Sequence, residues 1–342
     1  MKKVIKLVIK NTVFVIIFFS VLFYLQDALV CDSESKDAAR IDSVFTQPEN
    51  SLDAVFLGPS TTYASWAAPV AFEEYGITVY SAASAAQPMF ASKFMIDDIK
   101  KKQPDAVYII NITHFLMDYE KYLPNFINTY PLTTNKLSMI RYLADLGDFS
   151  FKKTLELMFP IQKYHDRWTE LKFKEFLPLK DEYKSASYYE PFLYKKKNVG
   201  SIQQDFSSYE TLSLRDYRGL IDLMNYCKKE DIKALFVIIP QSDRVTDRSG
   251  KQNATVSILE TRGFDVLDLR EHADEIGFDT KTDFYNTKHM NISGAEKVTR
   301  FLSEYLIEKY GFKDKRGEDT YSDWAEASER YYQLLETTPL VD

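Results

Sequence analysis

The sequence predicts an α/β chain: a three-layer, doubly wound sheet of about five mainly parallel strands, with a helical insertion that caps it and a transmembrane helix before it. Three observations predict this. Short apolar runs alternate with helical patterns along the chain, as in a parallel sheet joined by crossover helices. Several of these runs are apolar throughout, as strands buried on both faces are. Finally, Thr12 to Leu25 (TVFVIIFFSVLFYL) carries no charge, and Val4, Ile5 and Leu7 to Ile9 extend it to about bilayer length.

Taken in order, residues 1–30 begin with Lys2, Lys3, Lys6 and Lys10, which suit the cytoplasmic side of a single-pass span. A cleavable signal peptide is the rival reading, but Asp27-Ala28-Leu29-Val30-Cys31 contains no good small-x-small cleavage site, and Val30 does not suit a lipoprotein site at Cys31. The expectation is an uncleaved anchor in the cell membrane, with the main domain outside. Residues 31–52 are polar and charged, fit for a spacer helix or linker.

The strands are expected at Asp53–Leu57, Ile77–Tyr80, Ala106–Ile110, Ala234–Ile239 and Asp265–Leu269. Between them lie helical patterns. Pro69 opens a helix that Gly76 closes, and Phe90, Phe94, Met95 and Ile99 share one helical face. Ser213 with Asp216 caps a helix whose Leu214, Tyr217, Leu220, Ile221 and Met224 face one way, and Thr255 to Thr261 makes another. Ser293 and Glu296 read as a capping box for a last long helix ending near Gly311. Residues 53–118 and 202–312 thus form the two parts of one domain, with right-handed crossovers giving a flavodoxin-like arrangement. Residues 119–201 interrupt the alternation with helical, aromatic and lysine-rich sequence, and emerge where they can fold over the sheet as a cap. Residues 313–342 are a charged extension with one helical run.

Composition narrows the function. A hydrophobic content of 45% and an aromatic content of 15% exclude a disordered chain. The net charge is −7, and because residues 1–30 carry four lysines against Asp27, the rest bears −10, which argues against a nucleic-acid partner. Cys31 and Cys227 do not make a disulfide framework. His114, His165, His272 and His289 lack metal-ligand spacing, so neither metal nor cofactor is implied.

One stretch carries chemistry. Val55-Phe-Leu-Gly58-Pro59-Ser60 reads as a buried strand stopped by a tight turn, with Ser60 displayed at the carboxyl end, where ligands of such sheets bind. A serine needs a base and the base needs an orienting group. The late block Asp283-Phe-Tyr-Asn286-Thr-Lys-His289-Met-Asn291-Ile-Ser-Gly294 offers His289 as that base.

These two blocks resemble those of the SGNH (GDSL-like) hydrolase family, in layout most similar to its membrane-anchored bacterial branch of DltD-like proteins and polysaccharide O-acetyltransferases. The resemblance implies an acyl-serine mechanism, with an oxyanion hole made by the Ser60 amide, an amide at Ala83 or Ser84, and the side chain of Asn111. The family places an aspartate three residues before the histidine, where this chain has Asn286. A triad through Asp283, a Ser-His dyad and an inactive relative all follow from that departure. In the cap, His165 and Arg167 beside Trp168 are candidate substrate-binding residues.

The function implied is an extracytoplasmic serine esterase or O-acyltransferase acting on a cell-wall or capsular polysaccharide, with teichoic acid as the close variant. The alternative is a non-catalytic binding or assembly protein that works with a multipass acyl-exporting membrane protein.

Overall fold

A computed structural model of the protein describes residues 2–29, 32–113, 119–145, 150–170, 195–245 and 249–337. Its centre is a five-stranded sheet of β1 (Ala54–Gly58), β2 (Val79–Ala83), β3 (Val107–Asn111), β4 (Ala234–Ile238) and β5 (Asp265–Asp268). The spatial order is β2-β1-β3-β4-β5, and every neighbouring pair is parallel. In β1, β3 and β4 every residue is buried, which is why their sequences are apolar without alternation. β2 begins later than its β-branched run suggests. The reason is Thr78, whose N–H and hydroxyl both donate to Asp53 Oδ2 (2.8 and 3.0 Å) and hold the chain before it joins the ladder.

The chain opens with α1 (Lys2–Leu29) and α2 (Asp32–Val44). Within α1, Lys3–Gln26 has a mean hydropathy of 2.2 and is long and apolar enough to cross a membrane. After β1 come the single turn α3 (Ser60–Tyr63) and α4 (Ala68–Tyr75), which Gly76 ends at φ 71°. After β2 comes α5 (Ser92–Ile99), entered through a 3₁₀ turn at Met89–Ala91. The insertion supplies α6 (Tyr119–Thr129), α7 (Thr134–Asp145), α8 (Phe151–Met158), α9 (Ile161–Tyr164) and a 3₁₀ turn, His165–Thr169. Then follow α10 (Leu214–Lys229), α11 (Ser249–Thr261), α12 (Ala273–Ile276), α13 (Ile292–Tyr310) and α14 (Ser322–Thr337). Ser213 caps α10 as its spacing predicts, its hydroxyl accepting from Asp216 N at 3.1 Å. α11 begins six residues before its expected start, because its first turn is buried through the polar side chains of Ser249, Gln252 and Asn253, which an apolar pattern does not reveal.

The β1-to-β2 and β2-to-β3 connections run in opposite directions across the sheet, so right-handed crossovers put their helices on opposite faces. Accordingly α4 packs with α13 and α14, whereas α5 packs with α10 and α7. The described helices of the insertion do not form a separate small core above the serine. Leu123, Phe126, Ile127, Met139, Ile140, Leu143 and Leu157 join the same continuous core as the strands. Asp98 at the end of α5 fastens them, accepting from Tyr130 (2.9 Å), Thr133 (2.8 Å) and Asn135 (2.8 Å). Tyr188, Tyr189 and the rest of 171–194 lie outside the described residues, as does His114.

The segment expected as a spacer helix or linker is a helix, and it packs against the sheet. α2 descends the outer edge of the sheet against β2: Asp37 accepts from Ala85 N (2.8 Å) and Arg40 donates to Ala83 O (2.9 Å), both at the carboxyl end of β2. Just past the foot of α2, Phe45 O accepts from Lys102 Nζ (2.8 Å), near the start of β3. α2 therefore runs antiparallel to the strands, and its first residues stand at the sheet edge that carries Ser60.

Gly58 closes β1 at φ +151°, a region that side chains avoid. A Cβ there would collide with the Thr62 hydroxyl and lie 2.7 Å from Asn111 Cβ. Gly58→Ala should therefore destabilise the fold by ~2–4 kcal/mol in urea unfolding; an unchanged midpoint would show that the turn relaxes freely.

Candidate active site

The turn after β1 puts Ser60 at the first position of α3, with Pro59 extended before it (φ −74°, ψ −172°). The base arrives from the loop between α12 and α13. That loop is a tight hairpin: Asn291 N donates to Asp283 O (3.1 Å), Phe284 bridges Met290, and the Tyr285 and Asn286 amides both donate to His289 O (3.0 and 3.3 Å). At its tip His289 Nε2 lies 2.8 Å from Ser60 Oγ. Both side chains are half-buried, so the pair is shielded yet reachable.

Asn286 orients the base. Its Oδ1 accepts from Lys288 N (2.8 Å) and His289 N (3.0 Å), and lies 3.1 Å from His289 Nδ1. Two backbone donors identify this atom as the carbonyl oxygen, so Nδ1 must carry the proton. Nε2 is then a lone-pair acceptor for the Ser60 hydroxyl, the polarity a general base requires.

Asp283 does not take that place. It is fully buried, and its carboxylate accepts from Asp279 N (2.7 Å), Lys297 Nζ (2.7 Å) and the Ser293 hydroxyl (2.7 Å). These contacts brace the hairpin against α13. The same side chains explain why Ser293 does not cap α13: the cap is Asn291, whose side chain accepts from Gly294 N at 3.3 Å. The chain packs so closely there that a Cβ on Gly294 would strike the Asp283 carbonyl oxygen.

Without a carboxylate beside it, His289 is a weak base. Burial, with the nearby charge of Lys288, lowers its pKa from 6.5 to about 4.

The expected oxyanion donors are differently employed. Asn111 Nδ2 gives its hydrogens to Thr61 Oγ1 (3.0 Å) and Thr62 Oγ1 (2.9 Å), so it shapes the turn that displays Ser60. Ser84 N donates to Gly58 O (3.3 Å) within the sheet. Successive residues of a strand point their amides to opposite sides, so the Ala83 amide faces the outer edge, where Arg40 already holds the Ala83 carbonyl. Among the described residues, the Ser60 amide makes no internal hydrogen bond and remains available. Gln87 is 1% exposed, its Oε1 accepts from the Ser84 hydroxyl (3.4 Å), and among the described residues its Nε2 has no acceptor. No motif marks a lone glutamine as a buried donor.

The cap candidates are not brought to this pair. His165 is exposed, its ring held locally by Gln162 O (2.9 Å) and Asp166 (3.1 Å). Arg167 donates to the backbone oxygen of Leu29 at the end of α1 (2.8 Å). Among the described residues no group of three or more His, Cys, Asp or Glu could hold a metal ion. Cys227 is buried on α10, and burial pushes its thiol up to about 12, so it is no nucleophile.

No protein-family model matches this chain, and no curated protein matches it significantly.

The lowered pKa makes a directional prediction. His289 stays neutral until pH falls to about 4, whereas in the unfolded chain it protonates near 6.5; folded stability contributed by the neutral ring is therefore present above 6.5 and lost as pH falls towards 4. NMR titration of the His289 ring should give a midpoint near 4. Asn286→Asp should move that midpoint up by at least ~1 unit; no movement would show that position 286 does not face the ring in solution.

Proposed function

We propose that the protein is a membrane-anchored serine esterase or O-acyltransferase of SGNH type that works through an acyl-Ser60 intermediate. The observation carrying this reading is the 2.8 Å contact between Ser60 Oγ and a His289 nitrogen whose tautomer makes it an acceptor. The strand order β2-β1-β3-β4-β5 is that of flavodoxin-like doubly wound folds, in which ligands bind at the carboxyl ends of the strands, as Ser60 would require.

In the first half-reaction Ser60 Oγ attacks the acyl carbonyl while its proton passes to His289 Nε2. The Oγ–acyl bond forms, the bond to the leaving oxygen breaks, and the imidazolium returns its proton to that oxygen. In the second half-reaction water, or a hydroxyl of the acceptor, loses its proton to Nε2 as its oxygen bonds the acyl carbon; the Ser60 Oγ–acyl bond breaks, and the imidazolium returns that proton to Ser60 Oγ. The Ser60 amide faces the developing oxyanion. Asn286 orients the imidazole but supplies no charge to stabilise the imidazolium, so turnover is slow.

α1 serves as an uncleaved single-pass anchor, with Lys2, Lys3, Lys6 and Lys10 on the cytoplasmic side and the catalytic domain outside. An exported acyl-transfer enzyme meets cell-wall polymers, and an O-acylated polysaccharide is the substrate class in view; this rests on the resemblance of the two sequence blocks. Asn286 favours a second reading, a polymer-binding assembly protein that retains the fold without turnover.

Full-length protein in detergent, given an activated aryl acetate, separates the two. Turnover that falls at least ~1,000-fold in Ser60→Ala supports the enzyme, and an acylated Ser60 peptide should be found by mass spectrometry. Turnover that is absent, or unchanged in Ser60→Ala, leaves the binding protein. In the active enzyme Asn286→Asp should raise turnover by ~10-fold or more, since it restores the missing charge.

A further inference from the structure

We propose that the 3₁₀ turn His165–Thr169 is a second membrane contact, with Trp168 seated in the headgroup–acyl boundary of the bilayer that α1 crosses. This rests on α1 being a membrane anchor and is independent of the chemistry at Ser60.

The location carries the inference. Along α1, apolar side chains from Val4 to Leu25 are widely exposed, but Gln26 and Leu29 are only 4% and 6% exposed. What packs against the helix is α9 and the turn that follows it. Arg167 clamps the two together through its 2.8 Å bond to Leu29 O. The apolar span ends at Gln26, and three residues at 1.5 Å each place Leu29 about 4.5 Å beyond it. The interfacial layer on each side of the hydrocarbon is about 5–7 Å deep. The turn is thus fixed at interfacial depth.

The side chains suit that layer. Trp168 is 71% exposed, whereas Trp66 and Trp324 are each 2% exposed. A single exposed aromatic is ordinary on a protein surface, but an indole next to the mouth of a span, where its ring meets acyl chains and its N–H meets water, has an occupant at hand. His165, Asp166 and Glu170 around it are polar and exposed, as a headgroup layer allows. Tyr24, 57% exposed, lies five residues before Leu29 and adds a second aromatic near the same boundary. With α2 running down the sheet from the end of α1, two contacts at the membrane hold the Ser60 edge towards the bilayer.

The test uses the full chain in phosphatidylcholine vesicles containing a lipid spin-labelled high on its acyl chain. Because Trp168 is the exposed one of three tryptophans, quenching should remove up to about one-third of the emission, and Trp168→Phe, unchanged in thermal melting, should abolish that component. If the chain floats with the vesicles but quenching is the same in both proteins, the contact is refuted while the anchor stands. If the chain does not float with vesicles after an alkaline wash, the anchor itself fails and the contact with it.

Discussion

A hydroxyl and an imidazole 229 residues apart in the chain meet at 2.8 Å, and the surrounding structure answers to that meeting. Neither partner is positioned by its own preferences. Ser60 is displayed because Gly58 turns the chain through a conformation closed to side chains, with Asn111 pinning Thr61 and Thr62 behind it. His289 is aimed because one amide oxygen of Asn286 gathers two backbone N–H groups and the ring at once. The two halves are built on different elements, and the parallel sheet with α13 fixes their separation.

Charge is distributed so that the buried carboxylate of Asp283 supports structure and the Ser60–His289 pair is surrounded by neutral partners. Asp283 is saturated by an ammonium, a hydroxyl and an amide, and its removal from the imidazole leaves His289 with its pKa depressed by burial. A carboxylate at 286 would compensate that burial; an amide does not. The site thus keeps the geometry of a serine triad with the electrostatics of a dyad.

The long apolar helix α1 is joined to this site through side chains as well as through the chain. Two residues separate α1 from α2, whose Arg40 donates to Ala83 O while its guanidinium stacks over the Tyr63 ring at 4.1 Å. Tyr63 ends the same turn that starts at Ser60. Arg167 adds a tie from the insertion to the last turn of α1. The N-terminal apolar helix, the sheet edge and the serine turn therefore form a connected set of contacts.

The five strands, the long apolar helix at the start of the chain, the closing glycines at Gly76 and Gly311 and the opposed Ser60 and His289 blocks were legible in the sequence, because burial, turn geometry and motif spacing are local and leave local patterns. The employment of polar groups was not. Whether Asn111 faces an oxyanion or two threonines, whether Asp283 serves a histidine or a lysine, and whether Arg167 meets a substrate or the end of a helix depend on which elements lie across from them. A hydrogen-bonding side chain has the same identity whatever it bonds to, and only packing decides its partner.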